Sequence, residues 1–262
     1  NVTGNISVTA EFAINEYTLT YTAGANGSIS GITPQTVSHG SDGTAVTAVP
    51  DAGYHFVKWS DDVATATRTD TGVTGDISVT AEFAINTYTV TFKNWNGDEI
   101  KTQTVEHGSG ATAPDEPTRE GYHFTGWDAD FSNIVSNLMV TAIFAINEYT
   151  LTYTAGANGS ISGTTPQTVS HGSNGTAVTA VPDAGYHFVK WGDGVITATR
   201  TDKNVTGNIG VTAEFAINAY TVTFKNWNGD EIKTQTVEHG SGATAPDDPT
   251  REGYHFTGWD AD

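Results

Sequence analysis

Histidine, serine and aspartate side chains recur along this chain in patterns that could support hydrolysis or metal binding. Residues 53–62, GYHFVKWSDD, place a histidine between two aromatic residues and end in two acids, and residues 37–46, VSHGSDGTAV, bring Ser, His and Asp close together. A catalytic nucleophile, its base and the group that orients the base converge from separate elements, so closeness along the chain does not make a triad. No Gly-x-Ser-x-Gly nucleophile elbow is present. We interpret residues 37–46 as a polar turn.

The histidines and acids also lack the spacing of a metal site. The histidines come singly and no pair has i, i+4 spacing, as Ser/Glu-His-Gly at His39, His107, His171 and His239 and as Tyr-His-Phe at His55, His123, His187 and His255. Acid pairs occur at Asp61-Asp62 and Asp128-x-Asp130, but the twelve-residue calcium loop is absent and Asp62 becomes Gly194 in a later copy. We therefore predict no catalytic, cofactor-binding or metal-ligating residue and no cofactor.

The sequence leaves three alternatives open, one metal-binding and two covalent. Calcium binding by the acid pairs is one. A Lys-Asn isopeptide cross-link from Lys58 or Lys190 is another. Glycosylation is the third, because Asn-x-Ser/Thr sequons begin at Asn1, Asn5, Asn26, Asn158, Asn174 and Asn204.

These patterns are repeated, and the repeats define the organisation. Gly-Tyr-His-Phe-x-x-Trp begins at residues 53, 121, 185 and 253, and Phe-Ala-Ile-Asn ends at residues 15, 86, 147 and 218. The spacings predict alternating long and short repeats. Residues 1–15 are the C-terminal tail of a preceding long repeat, followed by a long repeat at 16–86, a short one at 87–147, a long one at 148–218 and a truncated short one at 219–262. A single active site needs one set of residues, so this duplication argues against an enzyme.

The charge and composition exclude several classes of partner. Eleven basic against thirty acidic side chains give a net charge of −19, which repels nucleic acid phosphates and anionic lipids. The chain has no cysteine, so no disulfide or thiolate site supports its small cores. No apolar run approaches the roughly 18 residues of a membrane span. We predict no nucleic acid partner and no membrane span in this segment.

Period-two alternation predicts strands throughout. In residues 77–85 the apolar side chains occupy odd positions, whereas after Asn86 they occupy even positions, at Tyr88, Val90 and Phe92. A one-residue slip would turn a continuous strand over, so the change marks a junction between repeats. Because no flexible spacer intervenes, we predict a stiff, elongated array.

The sequence also predicts hairpin turns and a chain crossing. Asn26-Gly27 and Asn96-Gly97 predict hairpin tips at which the first strand of each repeat folds back. The prolines at 114 and 117 predict an extended crossing with a possible helical turn over residues 115–119.

The aromatic motif itself is predicted to close the core. Phe56 and Trp59 are three residues apart and would lie on opposite strand faces unless a bulge intervenes. In the short repeat the glycine before Trp127 favours such a bulge. The alternative interpretation is an exposed aromatic platform for a ligand.

The short repeat closely resembles the Listeria-Bacteroides repeat, also called the internalin B-repeat type. The matching features are Tyr88-Thr-Val-Thr-Phe92, Asn96-Gly97, Ala113-Pro114, Gly121-Tyr122-x-Phe124-x-Gly126-Trp127 and Val140-Thr-Ala-x-Phe144. The long repeat resembles a divergent version, with Lys58 or Lys190 in place of the glycine before Trp. The resemblance implies mainly β structure, a tandem array of small β-grasp-like modules with little or no helix.

The resemblance further implies an extracellular location on a bacterial cell surface. We expect a non-enzymatic stalk, spacer or fibre-forming segment of a large adhesin-like protein. The expected partners are neighbouring repeats of the same chain and, through open strand edges, further copies. A second hypothesis is a binding module for a host protein or glycan that uses exposed aromatics such as Trp95 and Trp227.

Overall fold

The computed structural model describes residues 1–260, which form twenty β-strands and no helix. Mainly β structure in several small sheets is therefore confirmed. Within the described residues no helix is long and apolar enough to span a bilayer. The chain divides into two compact units, residues 1–117 with 124–144, and residues 118–123 with the residues from 145 onward.

The first long repeat builds a four-stranded main sheet in the order β3-β1-β7-β5 and a small sheet in the order β2-β4-β6. Its first and last strands, β1 and β7, are parallel neighbours at the centre of the main sheet, while β3 and β5 pair antiparallel at the edges. The strands are β1 (Glu16–Ala23), β2 (Gly27–Ser30), β3 (Gln35–Ser38), β4 (Val46–Pro50), β5 (Tyr54–Trp59), β6 (Thr67–Arg68) and β7 (Ile77–Ile85). We call the last strand of each repeat its closing strand.

The first short repeat has one sheet in the order β10-β11-β8-β9, with the first strand and the closing strand again parallel at its centre. The truncated last repeat shows only an antiparallel pair in its described part. The short-repeat strands are β8 (Thr87–Lys93), β9 (Glu99–Glu106), β10 (Tyr122–Trp127) and β11 (Leu138–Ile146), then β19 (Ala219–Lys225) and β20 (Glu231–Glu238).

The second long repeat reproduces the first. Its main sheet has the order β14-β12-β18-β16 and its small sheet the order β13-β15-β17. The strands are β12 (Glu148–Ala155), β13 (Gly159–Ser162), β14 (Gln167–Ser170), β15 (Val178–Pro182), β16 (Tyr186–Trp191), β17 (Thr199–Arg200) and β18 (Ile209–Ile217).

A bulge in β5 brings the aromatic motif to one side. The register against β7 shifts between Phe56 and Lys58, so that one extra residue separates Phe56 from Trp59. Phe56 packs against the core and Trp59 is completely buried within it, at 0% exposure. In the short repeat Gly126 adopts φ +147° and Trp127 packs against a core that includes Phe92. The prediction that the motif closes the core is confirmed.

Two local predictions fail and one holds. Asn26-Gly27 is a turn, but β1 does not pair with β2: it pairs with β3 and β7, because the chain leaves the main sheet to start the small one. Residues 115–119 form no helical turn. Asn96-Gly97, by contrast, connects the antiparallel strands β8 and β9 as predicted.

Candidate functional site

The histidine and aspartate of residues 37–46, which suggested hydrolytic chemistry, contact other parts of the fold and not each other. The Nδ1 atom of His39 lies 3.4 Å from the hydroxyl of Tyr17, and the carboxylate of Asp42 accepts the backbone N–H of Gly72 at 2.8 Å. These contacts hold a loop and a turn in place. They do not align a histidine with a nucleophile.

The acid pairs are engaged by the protein itself. Asp61 accepts two hydrogen bonds from Arg68, and Asp62 pairs with Lys58 at 2.7 Å. Asp128 accepts the backbone N–H of Thr141 and Asp130 that of Ser132. No group of three or more His, Asp or Glu side chains within the described part of the chain is arranged to hold a metal ion.

Lys58 and Lys190 lie on the surface. Lys58 is paired with Asp62, and Lys190 lies 3.8 Å from Glu214, with both lysine side chains at least 40% exposed. A spontaneous amide cross-link would need a buried lysine next to an asparagine. Neither Lys58 nor Lys190 is buried, and each lies beside an acidic side chain.

The long repeat also contains a buried ion-pair cluster that was not predicted from the sequence. Arg68 is 8% exposed and pairs with Asp61 at 3.0 Å and with Asp70 at 2.7 Å. Its guanidinium lies 5.2 Å from the ring centroid of Trp59 and 5.7 Å from that of Tyr21. The Tyr21 hydroxyl donates to Asp70 at 2.6 Å, and the Trp59 indole N–H donates to the carbonyl of Thr65 at 3.0 Å. Every polar group of the cluster therefore has a partner.

The second long repeat repeats this cluster with the same geometry. Arg200 pairs with Asp193 at 2.9 Å and with Asp202 at 2.6 Å, and Tyr153 donates to Asp202 at 2.6 Å. The guanidinium lies 5.2 Å from the centroid of Trp191. The available signal was Asp-x6-Arg-x-Asp, which occurs in both long repeats and in neither short one.

The cluster shifts the pKa values of its members. Burial raises the pKa of the Asp70 carboxyl, but hydrogen bonds from Arg68 and Tyr21 outweigh it, so that pKa lies below its ordinary value. The hydrogen bond from Arg68 likewise lowers the pKa of Asp61. Burial raises the pKa of Tyr21, and its hydrogen bond to Asp70 raises it further. The cluster is a stabilising ion network with no proton-accepting group poised near neutral pH.

A second recurrent site lies at each junction between repeats. Asn86, between β7 and β8, donates its backbone N–H to the carbonyl of Gly53 and accepts the backbone N–H of His107, both at 2.8 Å. Its side-chain oxygen lies 2.9 Å from Nδ1 of His55. One asparagine thus connects the aromatic strand of the upstream repeat to the loop after the second strand of the downstream repeat.

The imidazole of His107 packs directly on the backbone of Gly53. A Cβ atom placed on Gly53 would overlap this ring, and Gly53 also has φ +84°. The ring of Tyr88 lies on His107 as well, with 6.0 Å between the ring centroids. The glycine of the Gly-Tyr-His-Phe motif is therefore required by its contact with the next repeat.

Three complete junctions have this arrangement. Each contains a glycine and a histidine from the upstream repeat, the connecting asparagine, and a tyrosine and a histidine from the downstream repeat. They are Gly53, His55, Asn86, Tyr88 and His107, then Gly121, His123, Asn147, Tyr149 and His171, then Gly185, His187, Asn218, Tyr220 and His239. All eight histidines except His39 and His255 belong to these junctions.

Exposed aromatic residues form a third feature, at the turn of the last repeat. The guanidinium of Arg251 lies between two rings, 4.3 Å from the centroid of Trp227 and 3.9 Å from that of Tyr254. Both rings are more than 60% exposed. Trp95, at the same position of the first short repeat, is 49% exposed. Exposed rings held by a cation offer flat apolar faces to a ligand.

Acid should destabilise the long repeats through the Arg68 cluster. Because the folded pKa values of Asp61 and Asp70 are depressed, their stabilisation is complete above the ordinary aspartate pKa of about 3.9 and is lost as pH falls through the folded values. We expect Asp70→Asn to reduce the stability of residues 16–86 at pH 7 by about 1–3 kcal/mol and to flatten its acid dependence.

Hydrogen exchange can follow this effect within one molecule, with the unchanged repeat at residues 148–218 as an internal reference. Asp51→Asn, at an exposed position of the same repeat, is the matched control and should leave exchange unchanged. Equal protection in Asp70→Asn and Asp51→Asn would contradict the stabilising role.

The junction contact can be tested by two glycine substitutions. Gly53 and Gly253 have similar positive φ values, +84° and +77°, but no atom lies within 4 Å of a Cβ placed on Gly253. Both alanine variants therefore carry backbone strain of about 1–2 kcal/mol, and only Gly53→Ala also meets a histidine ring. We expect Gly53→Ala to lower the exchange protection of the amides of Asn86 and His107 by at least about tenfold, which corresponds to 1.4 kcal/mol.

Adding His107→Ala to Gly53→Ala should recover part of this protection at Asn86, because the overlap is removed. Gly253→Ala should leave the amides of Asn86 and His107 unaffected. Indistinguishable exchange in the two glycine variants would contradict the ring contact as the basis of the junction.

Comparison with known proteins gives two family models. The divergent InlB B-repeat domain matches residues 17–87 and 149–219. The Listeria-Bacteroides repeat domain matches residues 88–140 and 220–262. The matches alternate along the chain in the same order as the long and short repeats.

The chain is also similar to two curated proteins. A protein of Evansella cellulosilytica whose name describes it as a Gly-rich membrane protein is 28% identical over 200 residues, which cover 71% of this chain and 23% of that protein. Internalin H of Listeria monocytogenes is 40% identical over 85 residues, which cover 31% of this chain and 15% of that protein. The chain thus spans less than a quarter of the length of either relative.

Two solved structures show weaker similarity. The Bacillus anthracis TIE protein matches 76% of this chain and 50% of its own chain at 9% identity, with a TM-score of 0.26. SHIRT domains 3-4 of a streptococcal cell surface protein match 50% of this chain and 99% of their own at 20% identity, with a TM-score of 0.19. At these scores neither structure defines the fold of this chain.

The family models confirm the resemblance seen in the sequence. Repeat domains of these two kinds are typical of bacterial surface proteins, and such domains are typically non-enzymatic. The first model alone accounts for more than half of the residues. The chain belongs to the divergent InlB B-repeat family, and Listeria-Bacteroides repeats alternate with its two long repeats.

Proposed function

We propose that this chain is a non-enzymatic stalk or spacer segment of an extracellular bacterial surface protein. The observation that carries the proposal is the junction, where a single asparagine separates the closing strand of one repeat from the first strand of the next. Both backbone groups of Asn86 are hydrogen-bonded across the junction, and the ring of His107 fills the space against Gly53. A connection with so little free backbone resists bending, as a spacer requires.

The charge of the chain supports the same role. Thirty acidic side chains against eleven basic ones keep copies and neighbouring repeats from collapsing onto one another. The fully paired cluster around Arg68, together with the aromatic core, stabilises a repeat that has no disulfide. Such repeats extend a functional domain away from a surface without chemistry of their own.

Solution scattering tests the proposed shape. A unit of 60–70 residues has a diameter of roughly 30 Å, so an extended array of this length should reach on the order of 100 Å. We expect a rod-like scattering profile with a maximum dimension near this value at low protein concentration. The triple variant His107→Ala, His171→Ala, His239→Ala should show a broader distribution of dimensions, because each junction loses its packed ring.

Matched substitution of His55, His123 and His187 by alanine removes the same number of imidazole rings but leaves each ring contact with glycine intact. It should broaden the profile less. A compact, globular profile for the unmodified chain would refute the spacer proposal.

A second candidate function is binding of a glycan or host protein by the exposed aromatics. The observation that favours it is the stacked arrangement of Trp227, Arg251 and Tyr254, in which both rings are more than 60% exposed, whereas Phe56 and Trp59 of the aromatic motif pack in a core. Flat apolar ring faces stack on the C–H faces of sugars, and a neighbouring guanidinium donates hydrogen bonds to hydroxyl groups.

A glycan array with the double variant Trp95→Ala, Trp227→Ala tests this candidate. If the aromatics form the site, binding should fall by at least about tenfold, corresponding to the 1.4 kcal/mol expected for loss of stacking on an exposed ring. The control is Met139→Ala, which truncates another apolar side chain, 60% exposed. Equal binding by the double variant and the control, or no binding by the unmodified chain, would rule out glycan binding by these aromatics.

A further inference from the structure

The first strand and the closing strand of each repeat between residues 16 and 218 lie side by side and run in the same direction. Five residues of each strand are paired in the two long repeats and four in the first short repeat. We call these paired segments the clamp of the repeat. They are residues 19–23 with 77–81 in the first long repeat, 151–155 with 209–213 in the second, and 90–93 with 138–141 in the first short repeat.

A pull along the chain acts on the clamp in the direction of its strands. Tension enters the first long repeat at Glu16, the first residue of β1, and leaves it at Asn86, directly after β7. Because the strands are parallel, these two points lie at opposite ends of the clamp, and a pull drives β1 and β7 past each other. The hydrogen bonds of a parallel pair are evenly spaced along the strands, so they share the tension and must break together.

The junction passes this tension directly to the next repeat. Asn86 is the only residue between Ile85 of β7 and Thr87 of β8. Its backbone N–H donates to the carbonyl of Gly53, and its carbonyl accepts the N–H of His107, both at 2.8 Å. A pull therefore reaches the second clamp without an intervening stretch of free chain that could extend first.

A side chain lengthens each clamp at the end where its strands begin. In the first long repeat the backbone N–H of Thr18 donates to the carboxylate of Asp76 at 2.8 Å, one residue before the paired segments. This bond also has to break when β1 slides along β7. The same contact, at 2.9 Å, joins Thr150 to Asn208 in the second long repeat and Thr89 to Asn137 in the first short repeat.

The long and short clamps differ at their other end. In the first long repeat the N–H of Gly24 donates to the carbonyl of Ala81 at 2.9 Å, so β1 stays bonded to β7 beyond its last residue. The corresponding N–H of the short repeat, that of Trp95, donates to the side chain of Asn94 at 2.8 Å, because the hairpin turn begins there. The long clamp therefore has more hydrogen bonds that must break together.

Side-chain contacts strengthen the long clamp further. The hydroxyl of Tyr21 in β1 donates to Asp70 at 2.6 Å, and Asp70 pairs with the buried Arg68. Phe92, the corresponding residue of the short repeat, has no hydroxyl and contacts Trp127 through its ring. Sliding β1 along β7 thus breaks a charge-assisted hydrogen bond in the long repeat in addition to the ladder.

We propose that the repeats bear tension along the chain through these clamps, and that the short repeat yields at a lower force than the long repeats. This role goes beyond that of a spacer, which only has to resist bending, and it rests on the proposed stalk function only for the source of the tension. Forced unfolding is governed by the unfolding rate. A clamp whose bonds break together therefore prolongs the lifetime of the folded repeat under tension.

Single-molecule force spectroscopy can pull one repeat of the full chain in two directions, because handles can be attached to introduced thiols in a chain without native cysteine. Handles on Glu16→Cys and Thr87→Cys shear the clamp of residues 16–86. Handles on Glu16→Cys and Gly75→Cys pull β1 and β7 apart from the same end, where the bonds break one after another. No atom lies within 4 Å of a Cβ placed on Gly75.

At the same constant force we expect the sheared repeat to stay folded at least about tenfold longer than the repeat pulled from one end, which corresponds to 1.4 kcal/mol on the barrier. Equal lifetimes in the two directions, or a longer lifetime when the strands are pulled from the same end, would overturn the proposal.

Two aspartate substitutions test whether the bonds of the clamp set this lifetime. Asp76 and Asp42 are both exposed, and each accepts a backbone N–H at 2.8 Å, Asp76 from Thr18 across the clamp and Asp42 from Gly72 between two loops. With handles on residues 16 and 87, Asp76→Ala should shorten the lifetime about fivefold or more, since the lost bond has a charged acceptor. Asp42→Ala should leave it unchanged, and equal lifetimes of the two variants would count against the clamp.

The order of yielding is measured with handles on Glu16→Cys and Ala219→Cys, two exposed positions that enclose two long repeats and one short repeat. The short repeat is ten residues shorter, so its release adds about 35 Å less length. We expect this smaller release to come first as the force rises. Releases in random order, or the long repeats first, would overturn the predicted order.

Failure of the tension-bearing role can be distinguished from failure of the stalk role. A rod-like scattering profile together with equal lifetimes in the two pulling directions would overturn the clamp and leave the spacer in place. A globular profile would refute the spacer, whatever the lifetimes under force.

Discussion

Each repeat depends on placing its closing strand in the middle of its main sheet. β7 lies between β1 and β5, so it pairs with the strand that began the repeat about 60 residues earlier and with the strand that carries Trp59. Parallel pairing of distant strands forms late, because loop closure must be compensated by many contacts at once. A repeat is therefore complete only when its C-terminal strand is in place. The next repeat begins one residue later, and this proximity makes the junction part of the fold.

Long and short repeats fill the same core position in two ways. Phe92 in β8 contacts Trp127 and Phe131 at 5.0 and 5.2 Å, which makes an apolar core. In the long repeat the corresponding residue is Tyr21, whose hydroxyl needs a partner once it is buried. The longer connection after Trp59 supplies that partner, because it brings Arg68 and Asp70 beside the ring. Removing one member of such a cluster leaves a buried charge without compensation, and this explains why its members occur together.

Much of the local structure could be predicted from sequence. Alternation identified the strands, the three-residue spacing of Phe56 and Trp59 required the observed bulge, and Asn96-Gly97 marked a true hairpin. Alternation does not identify the partner of a strand. The prediction that β1 folds back at Asn26-Gly27 onto the next strand was therefore wrong, because β1 pairs with β3 and β7. The Arg68 cluster was missed for a related reason. A charged residue near two acids in sequence usually indicates a solvated surface, and only the folded loop brings this arginine over Trp59.

The junctions explain the change of phase that the sequence shows at each asparagine. The N–H of Asn86 bonds to Gly53, which continues the register of β5 with β7, and its carbonyl bonds to His107, which continues the register of β8 with β9. Asn86 is therefore the residue at which the chain passes from one sheet to the next, and the face that points inward changes there. The junction residues are also identical in the two long repeats. The two long repeats differ at nine positions, residues 32, 42, 60, 62, 64, 71, 72, 76 and 78 of the first copy, and none is a junction residue or a member of the Arg68 cluster. A substitution in a loop changes the stability of one repeat. A substitution in the Gly-His contact would change the stability of two repeats together. The nine differences between the long repeats all lie outside the junctions.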